Sequence, residues 1–216
     1  MNKKDLEYTN VWDNRYRDKA FAYGKEPNDF FRDQLAQLSP GRILMPADGE
    51  GRNGVYAATL AWQVTAVDLS TEGQAKALHL AKELGVSIEY IVGDLEYLDF
   101  AVESFDAIGL IYAHFLADKK SAVHKKLSRY LKPGGTIIFE AFSKSHLEIK
   151  RANPKVGGPG DIDMLFSTEE LAADFAHFDI DILRQEEVVN EEGLYHEGKS
   201  SVIRFVGKKR DPGQSI

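Results

Sequence analysis

The sequence predicts an α/β fold: a seven-stranded, mostly parallel sheet with helices on both faces and a C-terminal antiparallel hairpin. Three observations predict it. Short β-rich runs alternate with helical stretches between residues 42 and 142. That is the spacing of βαβ units, whose right-handed crossovers bring the strand C-termini to one edge. Two further β-rich runs follow each other near the C-terminus without a helix between them, the pattern of a hairpin at a sheet edge. Finally, 216 residues at 43% hydrophobic and 28% charged are the size and composition of one globular domain, with a core that needs no covalent staples.

The elements follow in order. Residues 5–38 read as helical, with aromatics among charges and a break from Gly24 to Pro27. They make residues 1–38 an N-terminal helical lid. Ser39-Pro40-Gly41 is a turn, and 42–46 (RILMP) a buried strand. A helix resumes over 53–61. Residues 63–68 (QVTAVD) form the second strand. Ser70 or Thr71 caps the next helix, which runs to about Leu84 and stops at Gly85. Residues 87–92 and 104–112 are strands three and four. A helix from Lys119 to Leu131 is expected to stop at the Pro133-Gly134-Gly135 turn, before strand five at 136–142. The segment 42–142 is the expected ligand-binding core. Residues 153–164, rich in Gly and Pro, read as a long loop, a second lid or a disordered segment. Thr168-Glu169-Glu170 opens a helix ending near Phe178, and 179–189 and 199–207 are the last two strands. Residues 168–208 thus supply a C-terminal helix and hairpin to the single domain 1–216.

Composition excludes several classes of function. There are 27 Lys and Arg against 34 Asp and Glu, a net charge of −7. Binding to nucleic acid needs a basic footprint, so no nucleic-acid partner is expected. The run Lys208-Lys209-Arg210 reads as a solvated tail. The absence of cysteine removes disulfides, thiolate metal sites and a cysteine nucleophile, and suits a reducing cytoplasm. No apolar run reaches the ~18 residues of a membrane span. Met1 to Asn10 is charged and lacks the apolar stretch of a secretory leader, so none is expected. His79, His124, His146 and His177 read as surface residues. No histidine pair has metal-ligand spacing with a carboxylate, so no metal is expected. The oligomeric state is not legible.

Three constellations carry chemistry. Ala47-Asp48-Gly49-Glu50-Gly51 lies between strand one and the next helix. Glycines there let the backbone approach a ligand, and the helix N-terminus offers free N–H groups; an ordinary tight turn would look the same. Asp68 ends strand two. A carboxylate there can accept both hydroxyls of a ribose, the arrangement found about 20 residues after a dinucleotide loop; capping the next helix is its other reading. Asp94, in Gly93-Asp94-Leu95 after strand three, suits an adenine amino group or is a surface loop residue. Lys132-Pro133-Gly134-Gly135 marks topology only.

Together these motifs, from Ile43 to Phe142, resemble the class I S-adenosylmethionine-dependent methyltransferases. The fold so implied is Rossmann-like. More of the chain is similar to a small-molecule branch, the tellurite-resistance and thiopurine methyltransferases. Trp12-Asp13-Asn14-Arg15-Tyr16, Tyr23-Gly24-Lys25-Glu26-Pro27-Asn28, Gly49-Glu50-Gly51-Arg52-Asn53, Gly157-Gly158-Pro159 and Glu192-Gly193-Leu194-Tyr195-His196-Glu197-Gly198 carry that likeness. The resemblance implies S-adenosylmethionine as cofactor and a small-molecule methyl acceptor, a thiol or other soft chalcogen nucleophile among the candidates. It implies cofactor contacts at Ala47, Asp48, Gly49, Gly51, Asn53, Asp68, Leu69, Ser70, Asp94, Leu95, Ile111 and Tyr112. Substrate contacts fall on Trp12, Arg15, Tyr16, Tyr23 and His196. Trp12, Tyr16 and Tyr23 form an aromatic lid in this reading or pack as an amphipathic helix, and Arg15 holds an anionic substrate. His196 is a substrate residue or a surface turn.

The loop departs from the family pattern D-x-G-x-G-x-G, with Met45 and Ala47 at its first acidic and first glycine positions. Met45 removes a carboxylate that Asp48 can replace, and Ala47 adds a methyl group to a backbone that should be bare. Methyl transfer from a sulfonium is an in-line displacement with a neutral leaving group. A soft anionic nucleophile then needs only alignment and desolvation, whereas a hydroxyl or amine wants a base. His114, after strand four, is the candidate base; a helix-start residue is the alternative. Two rivals remain at this level. One is a non-catalytic binding module, suggested by Met45 and Ala47. The other is a nicotinamide-dependent oxidoreductase, because Gly49-Glu50-Gly51-Arg52-Asn53-Gly54 matches G-x-G-x-x-G literally.

Overall fold

A computed structural model describes residues 3–211 and 213 of the chain, with side chains from Thr9 onward. Met1, Asn2, Pro212 and residues 214–216, which the sequence reading placed in the single domain and its lid, lie outside the described residues. Seven strands form one sheet in the order β3-β2-β1-β4-β5-β7-β6. In chain order they are β1 (Arg42–Pro46), β2 (Gln63–Asp68), β3 (Glu89–Val92), β4 (Phe105–Ile111), β5 (Leu131–Phe142), β6 (Phe178–Glu192) and β7 (His196–Lys209). All the β1–β5 pairings are parallel. β7 runs antiparallel to both β5 and β6, so it is the one reversed strand. This is the expected Rossmann-like sheet with its C-terminal hairpin.

Burial explains why the inner strands read as continuous apolar runs. Ile43 and Met45 enter one core layer and Leu44 the other. Ala107 and Ile111 alternate likewise with Ile108 and Leu110, and Ile138 with Ile137 and Phe139. A parallel sheet covered by helices on both faces needs apolar side chains at both parities. Met45 is therefore a core residue. A Cβ on Gly109 of β4 would lie 2.7 Å from its sulfur, so Gly109 makes the room that Met45 fills.

The helices are α1 (Lys3–Tyr16), α2 (Asp29–Leu35), α3 (Arg52–Thr59), α4 (Thr71–Glu83), α5 (Lys120–Tyr130), α6 (His146–Ala152) and α7 (Thr168–Asp174). Asn28 caps α2 and Ser70 caps α4 through their side chains. Ser167 and Glu170 form a reciprocal capping box at the start of α7. Among the described residues no helix is long and apolar enough to cross a membrane.

Several expectations are corrected. Residues 5–38 form two helices with twelve residues between Tyr16 and Asp29 outside them. The Pro133-Gly134-Gly135 turn does not end α5. That helix passes directly into β5, where Leu131 pairs with Phe105 and Thr136 with Ala107. The turn bulges out of the strand between those pairs, with Gly134 at φ 74°. Residues 153–164 are not one open loop, since they hold 3₁₀ turns at Pro154–Val156 and Ile162–Met164. Helix α6 before them carries no clear apolar stripe in the sequence. The helix opened by Thr168 stops at Asp174, and Phe178 already belongs to β6. Lys208-Lys209-Arg210 is no tail: Lys208 and Lys209 end β7, and the Arg210 guanidinium pairs with Asp179 at 2.7 Å. His124 and His146 are fully buried. His124 donates from Nδ1 to Asp174 at 2.8 Å inside a shell of Phe115, Phe139, Phe166 and Phe175. His146 stacks on Phe142 and bonds Gly157 O and Ser201 N.

Candidate active site

The chain leaves β1 toward β2 on one side, and β4 lies on the other. Such a reversal of strand order opens a crevice at the strand C-termini. A cavity of about 440 Å³ fills it, within the range of small-molecule sites. The β1–α3 loop, the ends of β2, β3 and β4, helix α1 and the β6–β7 turn region wall it.

The carboxylate of Asp68 organises one end. Its Oδ2 accepts the Gly49 N–H at 2.9 Å and its Oδ1 the Ser70 N–H at 3.0 Å. Each oxygen keeps a further lone pair for a ligand hydroxyl. Burial pushes its pKa up to about 6 even though these backbone donors favour the charged form. Gly49 and Gly51 adopt φ 55° and 82°, conformations that suit glycine. Ala47 also has φ 53°, at a cost of about 1 kcal/mol for an L-residue. Tyr112, at φ 51°, is its counterpart at the end of β4. Two non-glycine residues in left-handed backbone thus flank the crevice, where such strain clusters in functional sites. The Asp48 carboxyl turns beneath the first turn of α3, where Gly54 N–H donates to it at 3.2 Å. Burial, with the Asp68 charge nearby, raises its pKa well above the usual carboxylate value.

The N-terminal segment is strapped across this end. Ala22 N–H donates to Glu50 at 2.7 Å, Leu194 N–H to Ala22 O at 2.8 Å, and Asn28 N–H to Asn53 at 2.9 Å. The Tyr16 hydroxyl lies 2.6 Å from where a Gly49 Cβ would sit, and Trp12 stacks on Tyr16. The Arg15 guanidinium donates to the Tyr23 hydroxyl at 2.8 Å and lies 4.1 Å over the Tyr195 ring.

The far end is aromatic and histidine-rich. His114 donates from Nδ1 to Met164 O at 3.1 Å, and burial lowers its pKa to about 3. It stacks on Phe142. His196 lies among Tyr23, Tyr112 and Phe142, with ring centroids 4.5, 4.4 and 5.1 Å away. The hairpin pairs His196 with Glu192, and Nδ1 lies 3.1 Å from Oε2 of that carboxylate. Being 4% exposed, His196 is not a surface turn.

Most of the residues singled out from sequence meet here. Trp12, Arg15, Tyr16, Tyr23, Ala47, Asp48, Gly49, Asn53, Asp68, Leu69, Asp94, Leu95, Ile111, Tyr112, His114 and His196 all line the cavity. Gly51 and Ser70 do not. Gly51 packs against Ala77, where a Cβ would come within 2.5 Å. Ser70 spends its hydroxyl on the N-terminus of α4, with Gly73 N–H at 3.0 Å. Sequence reasoning missed Glu192, Arg52, Phe142 and Met164 as site residues. Only Glu192 and His196 left a signal, an i, i+4 pair around a glycine turn.

Residues 43–135 match the family model of a methyltransferase domain. A sterol methyltransferase-like protein of Botryococcus braunii is 34% identical over 121 residues, which are 54% of this chain and 31% of that protein. The chain spans about a third to a half of the curated relatives it matches. Among solved structures, one described by the conversion of a disulfide bond into a thioacetal group during echinomycin biosynthesis superposes with TM-score 0.75. It is 19% identical and covers 96% of this chain and 94% of its own. An S-adenosylmethionine-dependent methyltransferase of Methanosarcina mazei gives TM-score 0.63 at 20% identity, covering 86% and 99%. Residues 43–135 thus match a methyltransferase domain, and S-adenosylmethionine is the methyl donor that such a domain implies.

Proposed function

We propose that the cavity binds S-adenosylmethionine and that the protein transfers its methyl group to a small-molecule acceptor. The observation that carries this reading is the Asp68 carboxylate, held by Gly49 N–H and Ser70 N–H at the rim of the crevice. The donor set fits the group. Asp68 accepts the ribose hydroxyls, Asp94 faces the adenine amino group, and Leu69, Leu95 and Ile111 supply apolar walls. Ala47, Asp48, Gly49, Asn53 and Tyr112 border the methionine part. Gly51 and Ser70 act from behind, as backbone supports.

When bound, S-adenosylmethionine supplies a methyl carbon on a cationic sulfur whose departure leaves a neutral thioether. The protein's own part is alignment and exclusion of water. The strap from Trp12 to Tyr23 closes the cavity, and its aromatic faces favour a cation. Arg15 holds an anionic group of the acceptor. His114, kept neutral by burial, lines the acceptor end. The acceptor is proposed from the branch resemblance to be a thiol or another soft chalcogen compound.

The test is calorimetric titration with S-adenosylmethionine and S-adenosylhomocysteine of the wild type and Asp68→Ala, with NADH as rival ligand. Saturable binding of the S-adenosyl pair that Asp68→Ala abolishes is the expected result. Binding of NADH alone would turn the reading to the oxidoreductase.

A further inference from the structure

Two imidazoles, His114 and His196, line the acceptor end and a third, His146, lies behind Phe142; their bonding differs. His146 has both ring nitrogens engaged, at Gly157 O and Ser201 N. His114 gives its Nδ1–H to the neutral carbonyl of Met164. His196 is the one that faces a carboxylate. Arg52 donates to Oε2 of Glu192 at 2.9 Å and Asn28 to its Oε1 at 3.0 Å. The hydrogen bond from His196 and the Arg52 charge outweigh burial and hold the Glu192 pKa at about 2. An ionised carboxylate only accepts, so His196 donates from Nδ1 and keeps its lone pair on Nε2. Among the described residues no donor bonds that nitrogen. The ring lines the cavity, packed against those of Tyr112 and Tyr23.

We propose that His196 is the general base of the methyl transfer, with Glu192 as its positioning residue and Arg52 and Asn28 holding Glu192. The proposal rests on the methyltransferase reading above and extends its acceptor from sulfur to protic nucleophiles in general. An acceptor that arrives as an anion has no proton to give, so this site takes a protic one: a hydroxyl, an amine or a neutral thiol. The acceptor's lone pair forms the bond to the methyl carbon as the carbon–sulfur bond breaks and leaves its pair on sulfur. The acceptor's proton passes to Nε2 of His196. The resulting imidazolium is stabilised by Glu192, as a carboxylate stabilises the histidine of a hydrolytic triad. Burial lowers the basicity of His196, Glu192 raises it, and Arg52 and Arg15 lower it again. His114 and His146 are the other titratable neighbours, with the Tyr23 and Tyr112 hydroxyls. The ring therefore stays neutral at pH 7 and is ready to accept.

The experiment has three arms, on the full chain and on His196→Gln and Glu192→Gln, each checked for native far-UV circular dichroism. S-adenosylhomocysteine binding comes first, and its absence from the wild type sinks the methyltransferase reading itself. Carbethoxylation by diethyl pyrocarbonate, mapped by mass spectrometry across pH, comes second. The expected result is labelling of His196 with a pH profile shifted downward in Glu192→Gln, which a merely structural glutamate would not produce. An unreactive His196, or a profile indifferent to Glu192, overturns the proposal while leaving the cofactor reading intact. The third arm offers S-adenosylmethionine with a panel of phenols, hydroxybenzoates, phenethylamines and benzenethiols. O-, N- or S-methyl product is expected from a member that is protonated at the assay pH. The kcat should fall about 100-fold or more in His196→Gln and less in Glu192→Gln, with KM held. A panel methylated only at ionised thiols, or not at all, overturns the proposal.

Discussion

Asp68 and Gly49 are joined by a 2.9 Å hydrogen bond from the loop N–H to the carboxylate Oδ2. The residue expected to hold the ribose is therefore also the clamp on the glycine loop. Loop geometry and the proposed ribose recognition thus share one carboxylate.

A pH dependence follows from that charge. Burial raises the Asp68 pKa to about 6, above the ~3.9 of an unfolded aspartate. Between those values the folded protein holds the extra proton. Asp68 thus lowers stability as pH rises from about 4 to 6, on the order of 3 kcal/mol in full, and Asp68→Asn removes this slope. Ribose hydroxyls donate to the ionised form, so S-adenosylhomocysteine affinity should be flat above pH 7 and fall below pH 6. Calorimetry in buffers of different ionisation enthalpy should detect proton release on binding near pH 6.

The loop conformation gives a contrasting pair of variants. Gly51→Ala places a Cβ 2.5 Å from that of Ala77 at φ 82°, and should cost about 2–4 kcal/mol by strain and overpacking. Ala47→Gly relieves φ 53° and should stabilise by up to about 1 kcal/mol. Denaturant unfolding measures both. A destabilised Ala47→Gly would show that its methyl group packs more strongly than its backbone is strained.

Asn28 ties three elements together. Its side chain accepts the Phe31 N–H at the start of α2 and donates to Glu140 at 2.7 Å and Glu192 at 3.0 Å. Asn28→Ala removes a helix cap worth about 1 kcal/mol and leaves buried Glu140 to Arg204 alone. A total loss of about 2–3 kcal/mol is expected. Burial already raises the Glu140 pKa, so the loss should be smaller at pH 5 than at pH 8. Thermal unfolding at the two pH values checks this.

The His124–Asp174 pair is a structural counterpart that does not itself line the cavity. Asp174 also accepts the Ser121 hydroxyl. Asp174→Ala strands both donors and should cost about 2–3 kcal/mol without changing S-adenosylhomocysteine affinity. A changed affinity would mean that α5 and α7 communicate with the site.

Legibility varied along the chain for physical reasons. β1 and β2 are bounded to the residue, because a parallel strand buried on both faces is an apolar run, opened here by exposed Arg42 and Gln63. The final hairpin was read short, since Asn190, Glu191, Glu192 and Glu197 look like loop residues until cross-strand pairing is seen. Helix α6 was missed because only His146 and Leu147 of its seven residues are buried.

Local patterning by itself determined the sheet, its order of βαβ units and the crevice edge where Ala47, Asp68 and Asp94 gather. Those depend on periodicity and turn chemistry, which act over a few residues. Tertiary structure alone decided what surrounds each polar side chain. His124 and His196 are similar letters in polar contexts, yet one is sealed among phenylalanines behind Asp174 and the other lines the cavity beside Glu192. Partners of that kind are supplied by elements far away in the chain, as Arg52 is for Glu192. Burial and charge neighbours set protonation and hydrogen bonding, and both exist only once the chain has folded.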